Sequence, residues 1–194
     1  LATAALAAVT RGEVANAYAL SRPPGHHCLP DWPNGFCLMA NIAIAIRAVQ
    51  SLGLARRIAV VDWDVHHGNG TEAIFWTDPT VLTLSLHQEW NYPLDTGGAE
   101  ARGEGKGHGF NINLPLPPGT GHANYLEAVE KIVLPALYRF APEVIVVACG
   151  FDASAFDPLG RMLATTETFR QMTRQMRRAA ADLCGGKLIL VHEG

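Results

Sequence analysis

Five short apolar runs recur along the chain with helical patterns between them, and that alternation constrains the fold more than any other feature. The runs are AYALS (17–21), RIAVVDWD (57–64), TVLTLSLH (80–87), EVIVVACG (143–150) and KLILVHE (187–193). Most are β-branched and continuous rather than alternating, the pattern of strands covered on both faces. Residues 37–53, 122–140 and 165–186 carry helical spacing, the last closed by Gly185-Gly186 with arginines in its second half. Strand–helix–strand alternation predicts an α/β fold on an open parallel sheet. The 194 residues suit one domain, and no repeat, low-complexity tract or linker divides them. Gly and Pro gather instead in loops at 22–35, 93–109 and 115–121, too long for plain connectors.

Ionisable residues cluster just after the predicted strands. RPPGHH follows the first, DVHHGNG the second, HQEW the third and GFDASAFDP the fourth. Open parallel sheets bind ligands outside the C-terminal strand ends, so these four loops are expected to converge. Burying Asp62, Asp64, His66 and His67 beside Val60 and Val61 is costly unless something binds them. Alternation along an extended segment puts Asp62, Asp64 and His66 on one side. Asp64 and His66 suit a metal, with Asp62 as a partner behind them and Asp152 as a third ligand. Three protein ligands leave an open position for water, as in catalytic zinc sites. For DWD alone, a strand-end turn with solvated carboxylates is the competing reading.

His26 and His27 follow Pro23-Pro24-Gly25, a stiff segment that fixes the direction of the pair. Beside a metal-bound water they suit general acid–base work, with Asp62 and Asn69 as orienting acceptors; taken alone they read as exposed loop histidines. His87, His108, His122 and His192 have no carboxylate or His partner at ligand spacing and read as structural. Phe36, Trp90 and Tyr92 lie in the same loops and suit the walls of a narrow channel, although Trp90 suits a loop anchor into the core nearly as well.

The 48% hydrophobic and 17% charged residues support a sizeable core. A net charge of −3 offers no footprint for nucleic-acid phosphates. No stretch approaches the ~18–20 apolar residues of a membrane span. Four cysteines without a C-x-x-C pair read as reduced thiols in a cytoplasmic protein. The opening LATAALAAVTRGEVANA lacks a basic n-region and reads as a helix end rather than a signal peptide. Starting without Met and stopping at LVHEG, the chain reads as a piece of a longer protein.

With RPPGHH, GFCLMAN, DWDVHHGNGT, SLH, NINLPLPPGTG and GFDASAFDPLG in this order, the chain resembles the histone deacetylase family, most closely its class II and bacterial deacetylase-like members, which include acetylpolyamine amidohydrolases. The resemblance covers nearly all of residues 1–194. It implies part of the three-layer arginase/deacetylase fold, a catalytic domain incomplete at both ends, and zinc-dependent hydrolysis of acetyl-lysine or acetylpolyamine amides. Zinc would be bound by Asp64, His66 and Asp152. His27 matches the general base and acid, and His26 its electrostatic companion backed by Asp62. Asn69 stands behind His27 where class I enzymes have Asp. Gly35 matches the substrate-amide acceptor, Phe36 and Tyr92 the tunnel walls, and Leu159 the rim. A structural potassium would take oxygens from Asp62, Asp64, His66, Ser85 and Leu86. The family's oxyanion-stabilising Tyr is expected beyond Gly194, so residues 1–194 alone are expected to be inactive. A homo-oligomer is compatible with the resemblance.

Two rivals remain beside this reading. Arginase-like enzymes share the fold but hold two manganese ions, and Gly68 and Ser154 stand where the extra carboxylates would be. A non-catalytic acyl-group binder would be expected to lose a ligand or a histidine of the pair, and all are present. Polyamine-selective eukaryotic relatives carry Glu at the position of Leu159, so Leu159 tilts the substrate toward acyl-lysine.

Overall fold

A computed structural model describes all 194 residues. Its strands are β1 (Asn16–Ala19), β2 (Ile58–Asp62), β3 (Val81–Gln88), β4 (Asn111–Leu116), β5 (Val144–Cys149) and β6 (Leu188–His192). They form one sheet, parallel throughout, in the order β1-β6-β5-β2-β3-β4.

Successive residues of the central strands serve opposite faces of this sheet. Ala59 and Val61 of β2 and Ile145 and Val147 of β5 join a core containing Trp63, Tyr125 and Met172. Ile58, Val60, Val144 and Val146 join a second core with Leu6, Ile42 and Ile46. Both faces are apolar, which is why these runs are continuous in sequence. Each fully buried Val, Leu or Ile contributes about 1.5–3 kcal/mol. A charge in mid-strand would lose that contribution and add a desolvation cost, so the ionisable groups stand at the strand ends.

The helices α1 (Ala2–Thr10), α2 (Asn41–Ser51) and α3 (Asn69–Phe75) supply the second core's outer layer. The first core is closed by α4 (His122–Ala128), α5 (Leu134–Phe140) and α6 (Thr166–Cys184). A π-helical turn over Val129–Val133 joins α4 to α5, so the single helical pattern at 122–140 is one rod with a local bulge. Thr165 and Thr168 form a reciprocal cap at the start of α6, and Gly185 ends it in the left-handed region at φ 63°. No helix is long and apolar enough to cross a membrane, and all four cysteines are free thiols.

Three elements depart from the sequence expectation. β4 was not among the predicted strands, since Asn111, Asn113 and Pro115 break its apolar run; the ladder offered by β3 makes it a strand. α3 lies outside the three stretches of expected helical spacing. The helical pattern at 37–53 is confined to α2, because residues 37–40 belong to the preceding loop.

The chain enters at the β1 edge and crosses to β2. It then steps outward through β3 and β4 and returns to β5 on the opposite side of β2. The sheet therefore reverses direction between β2 and β5, and ligand crevices open at the C-terminal ends of such a pair.

Candidate metal centre and active site

β2 stops at Asp62, and the next residues run over the sheet's edge, pinned on each side. Trp63 N–H donates to Ala148 O at 3.2 Å, and Gln88 N–H to Val65 O at 2.8 Å. This path delivers Asp64 and His66 to the end of β5, where Asp152 follows. One ligand atom from each of the three lies within 4.8 Å of the others. His66 Nδ1 is 3.1 Å from Asp64 Oδ1 and 3.0 Å from Asp152 Oδ2. Backbone donors orient the carboxylates: Val65 N–H to Asp152 Oδ1 at 2.8 Å and Gly194 N–H to Asp64 Oδ2 at 3.0 Å.

Two buried carboxylates meeting at one imidazole make a cation-seeking set. Burial pulls the His66 pKa down, but its hydrogen bonds to Asp152 and Asp64 outweigh that and hold it at about 9. Burial and the charge of Asp64 push Asp152 up to about 6. Burial alone would raise Asp64 too, yet the positive His26 and the bond from His66 keep it below the usual carboxylate range. A Cβ at Gly194 would stand 2.6 Å from Asp152 Oδ2 and 2.7 Å from Asp64 Oδ2, so glycine there keeps space open beside both oxygens. The residues present fit one divalent ion.

His26 and His27 stack with ring centroids 3.9 Å apart, both buried. His26 Nδ1–H donates to Asp62 Oδ2 at 2.9 Å, and His27 Nδ1–H to Asn69 Oδ1 at 2.8 Å. Burial opposes charge on His26, but Asp64 and Asp62 raise its pKa well above the ordinary value. Burial and the adjacent positive His26 lower His27 to about 3. This arrangement favours charge on His26 and the neutral form of His27, whose Nε2 is then the free nitrogen.

These groups line a cavity of about 530 Å³ together with Gly35, Phe36, Tyr92 and Leu159. Tyr92 meets the His27 ring edge-on at a centroid distance of 5.1 Å. Gly35 adopts φ +51°, and a Cβ there would overlap the His27 ring, so only glycine lets this turn approach the histidine. Ser85 and Leu86 lie behind the centre in β3. Asp62 is in register with Ser85, and Gly68 N–H reaches Ser85 Oγ at 3.4 Å.

Two sequence expectations need correction. Trp90 does not wall this cavity. The chain turns there through φ +57°, and the ring, 78% exposed, lines a neighbouring hollow with Glu89, Asp95 and Glu100. It is no core anchor either. His87 does have a histidine partner: it packs on His67 at 4.8 Å between centroids. Both rings serve the loop rather than the metal, His67 bonding Thr96 Oγ1 at 3.0 Å and His87 donating to Gly97 O at 3.0 Å.

The sequence reading missed Glu193. Its Oε2 accepts from Gly25 N–H at 2.6 Å and His26 N–H at 3.0 Å. Its place at the end of the fifth apolar run was readable, but its pairing with the distant Gly25 and His26 was not.

A model of the histone deacetylase domain matches residues 1–194. A histone deacetylase-like amidohydrolase of Pseudomonas aeruginosa is 57% identical over 194 residues, covering 100% of this chain and 51% of that protein. The chloroplastic histone deacetylase 14 of Arabidopsis thaliana is 44% identical over 177 residues, covering 91% of this chain and 42% of its own length. The chain spans about half the length of these relatives. An acetylpolyamine aminohydrolase from Burkholderia pseudomallei superimposes with a TM-score of 0.90 at 39% identity, covering 100% of this chain and 54% of that one. The HDA15 HD domain gives 0.92 at 38%, covering 100% and 56%. A parallel sheet reversing between β2 and β5, a three-ligand centre at that point and a family match along the entire sequence agree: this chain belongs to the histone deacetylase family.

Proposed function

We propose that the protein containing this chain hydrolyses acetyl-lysine amides, with Asp64, His66 and Asp152 holding one zinc ion. The observation that carries the reading is the meeting of those three ligand atoms with the neutral His27 in one cavity. A bound zinc would supply Lewis acidity, polarising the acetyl carbonyl and acidifying a bound water. The chain's own residues do the rest. Asn69 fixes the His27 tautomer so that Nε2 takes a proton from the attacking water and later returns it to the leaving amine. His26, paired with Asp62, supplies a fixed positive charge beside the developing negative one. Phe36 and Tyr92 flank the acyl-lysine stem, Gly35 O accepts from the substrate amide, and Leu159 sits at the rim. A potassium ion on oxygens of Asp62, Asp64, His66, Ser85 and Leu86 belongs to the same reading, supported by the register of Asp62 with Ser85.

Hydrolysis of acetylpolyamines is the second reading, favoured by the Burkholderia pseudomallei structure. Leu159 provides no carboxylate for a remote ammonium, which favours acyl-lysine. The test is a screen of the full-length protein on acetyl-lysine peptides and acetylpolyamines, with metal content measured alongside. Higher kcat/KM on peptides is expected, and Asp152→Ala should lose both stoichiometric zinc and turnover. Unchanged zinc in that variant would overturn the ligand assignment, and preference for acetylpolyamines would select the second reading.

A further inference from the structure

The backbone of His26 is held from both sides. Its carbonyl accepts from Gly70 N–H at 3.0 Å and Thr71 N–H at 3.2 Å, at the start of α3. Its N–H and that of Gly25 converge on a single oxygen, Glu193 Oε2. Pro23 and Pro24 carry no N–H, so Gly25 and His26 supply the first two successive donors of this loop, and successive N–H groups form a cradle for an anionic oxygen. Glu193 is itself fixed. Its N–H donates to Cys149 O at 3.1 Å, and Gly194 O accepts from Phe151 N–H at 2.9 Å, so its backbone is tied to the end of β5 that also carries Asp152.

We propose that Glu193 is a positioning residue for the His26–His27 pair, its Oε2 clamping the loop at a set distance from the metal ligands. The proposal rests on the hydrolase reading above only for its kinetic consequence. Two N–H groups sharing one acceptor oxygen fix the loop's distance from it, and misplacing a catalytic group by about 1 Å can cost 10²-fold in rate. Glu193 Oε1 is buried without a partner, so the clamp needs one acceptor oxygen at the right reach rather than the whole carboxylate. Glutamine keeps that oxygen at that reach. Aspartate keeps the charge but falls short by one carbon–carbon bond, about 1.5 Å.

The test compares Glu193→Gln and Glu193→Asp with the parent in the full-length, metal-loaded protein. It reads kcat, KM, metal per folded chain and hydrogen exchange at the Gly25 and His26 amides. Expected for Glu193→Asp is loss of amide protection and a fall in kcat of about 10–100-fold, the usual range for partners behind a metal site. KM should stay within about threefold and metal content should be unchanged. Glu193→Gln should keep protection and most of kcat. Full protection and kcat in Glu193→Asp, or a glutamine variant as impaired as the aspartate one, would overturn the clamp. If the parent hydrolyses no acetyl amide, the hydrolase reading fails, and amide exchange alone then decides the clamp.

Discussion

At the scale of single residues, two adjacent imidazoles are pushed in opposite directions: Asp64 and Asp62 raise the pKa of His26, while burial and the charge of His26 lower that of His27. Asp62 brings a full negative charge to His26, and Asn69 brings only a dipole to His27. On the proposed hydrolysis, a neutral His27 would be the proton acceptor and His26 its charged companion. His27→Ala should therefore lose kcat by roughly 10²–10⁴-fold, and His26→Ala by less, with metal retained in both. Steady-state kinetics at matched metal content checks this, and the opposite ranking would exchange the two roles. The convergence of the His pair with Asp64, His66 and Asp152 was legible because each sits in a short motif after an apolar run. Glu193 was not. Its partners Gly25 and His26 lie on the far side of the chain, and nothing local to HEG announces them. The left-handed turn that sends Trp90 away from the cavity was equally invisible.

Elements are tied together by a second, half-buried polar group. Glu72, in the first turn of α3, accepts from Asn111 Nδ2 and Asn113 Nδ2 of β4, each at 2.7 Å, and lies 3.3 Å from His67 Nε2. The asparagines that obscured β4 in the sequence are thus the ones that lock it to α3. Central strands were readable because both their faces are apolar. An edge strand defined by a distant carboxylate was not. Burial would raise the Glu72 pKa, but the hydrogen bond from His67 and those from Asn113 and Asn111 outweigh it and lower the value. The ionised form is then favoured by folding. Its stabilisation is present above the ordinary carboxylate pKa and is lost as pH falls through the depressed folded value. Glu72→Gln should cost about 1–3 kcal/mol at pH 7, and urea midpoints of variant and parent should converge as pH drops below about 4. A gap independent of pH would show that packing, not ionisation, is what the substitution removes.

For the whole molecule, the centre bridges the two halves of the sheet, since Asp64 and His66 follow β2 and Asp152 follows β5. A metal held there cross-links the halves and stabilises only the folded chain. At a free metal concentration 100 times Kd the gain is ~2.7 kcal/mol, or roughly 5–10 °C in Tm for a chain of this size. Chelation should lower Tm by that amount and added zinc should restore it, whereas Asp152→Ala should respond to neither. Calorimetry with and without chelator checks this, and an unresponsive parent would place the ion elsewhere.

The sheet order also has a consequence for how the chain is made. β1 pairs with β6 alone, Asn16 opposite Leu188, so a strand synthesised early waits for one synthesised roughly 170 residues later. Closing so long a loop adds only ~0.6 kcal/mol per doubling of its length, but contacts this distant in sequence slow folding. On the ribosome, β2, β3 and β5 can assemble before β6 emerges, and they bring all three candidate metal ligands with them. The segment bearing His26 and His27 gains its last anchor only when Glu193 arrives. A nascent chain is therefore able to bring Asp64, His66 and Asp152 together before the His26–His27 loop is anchored.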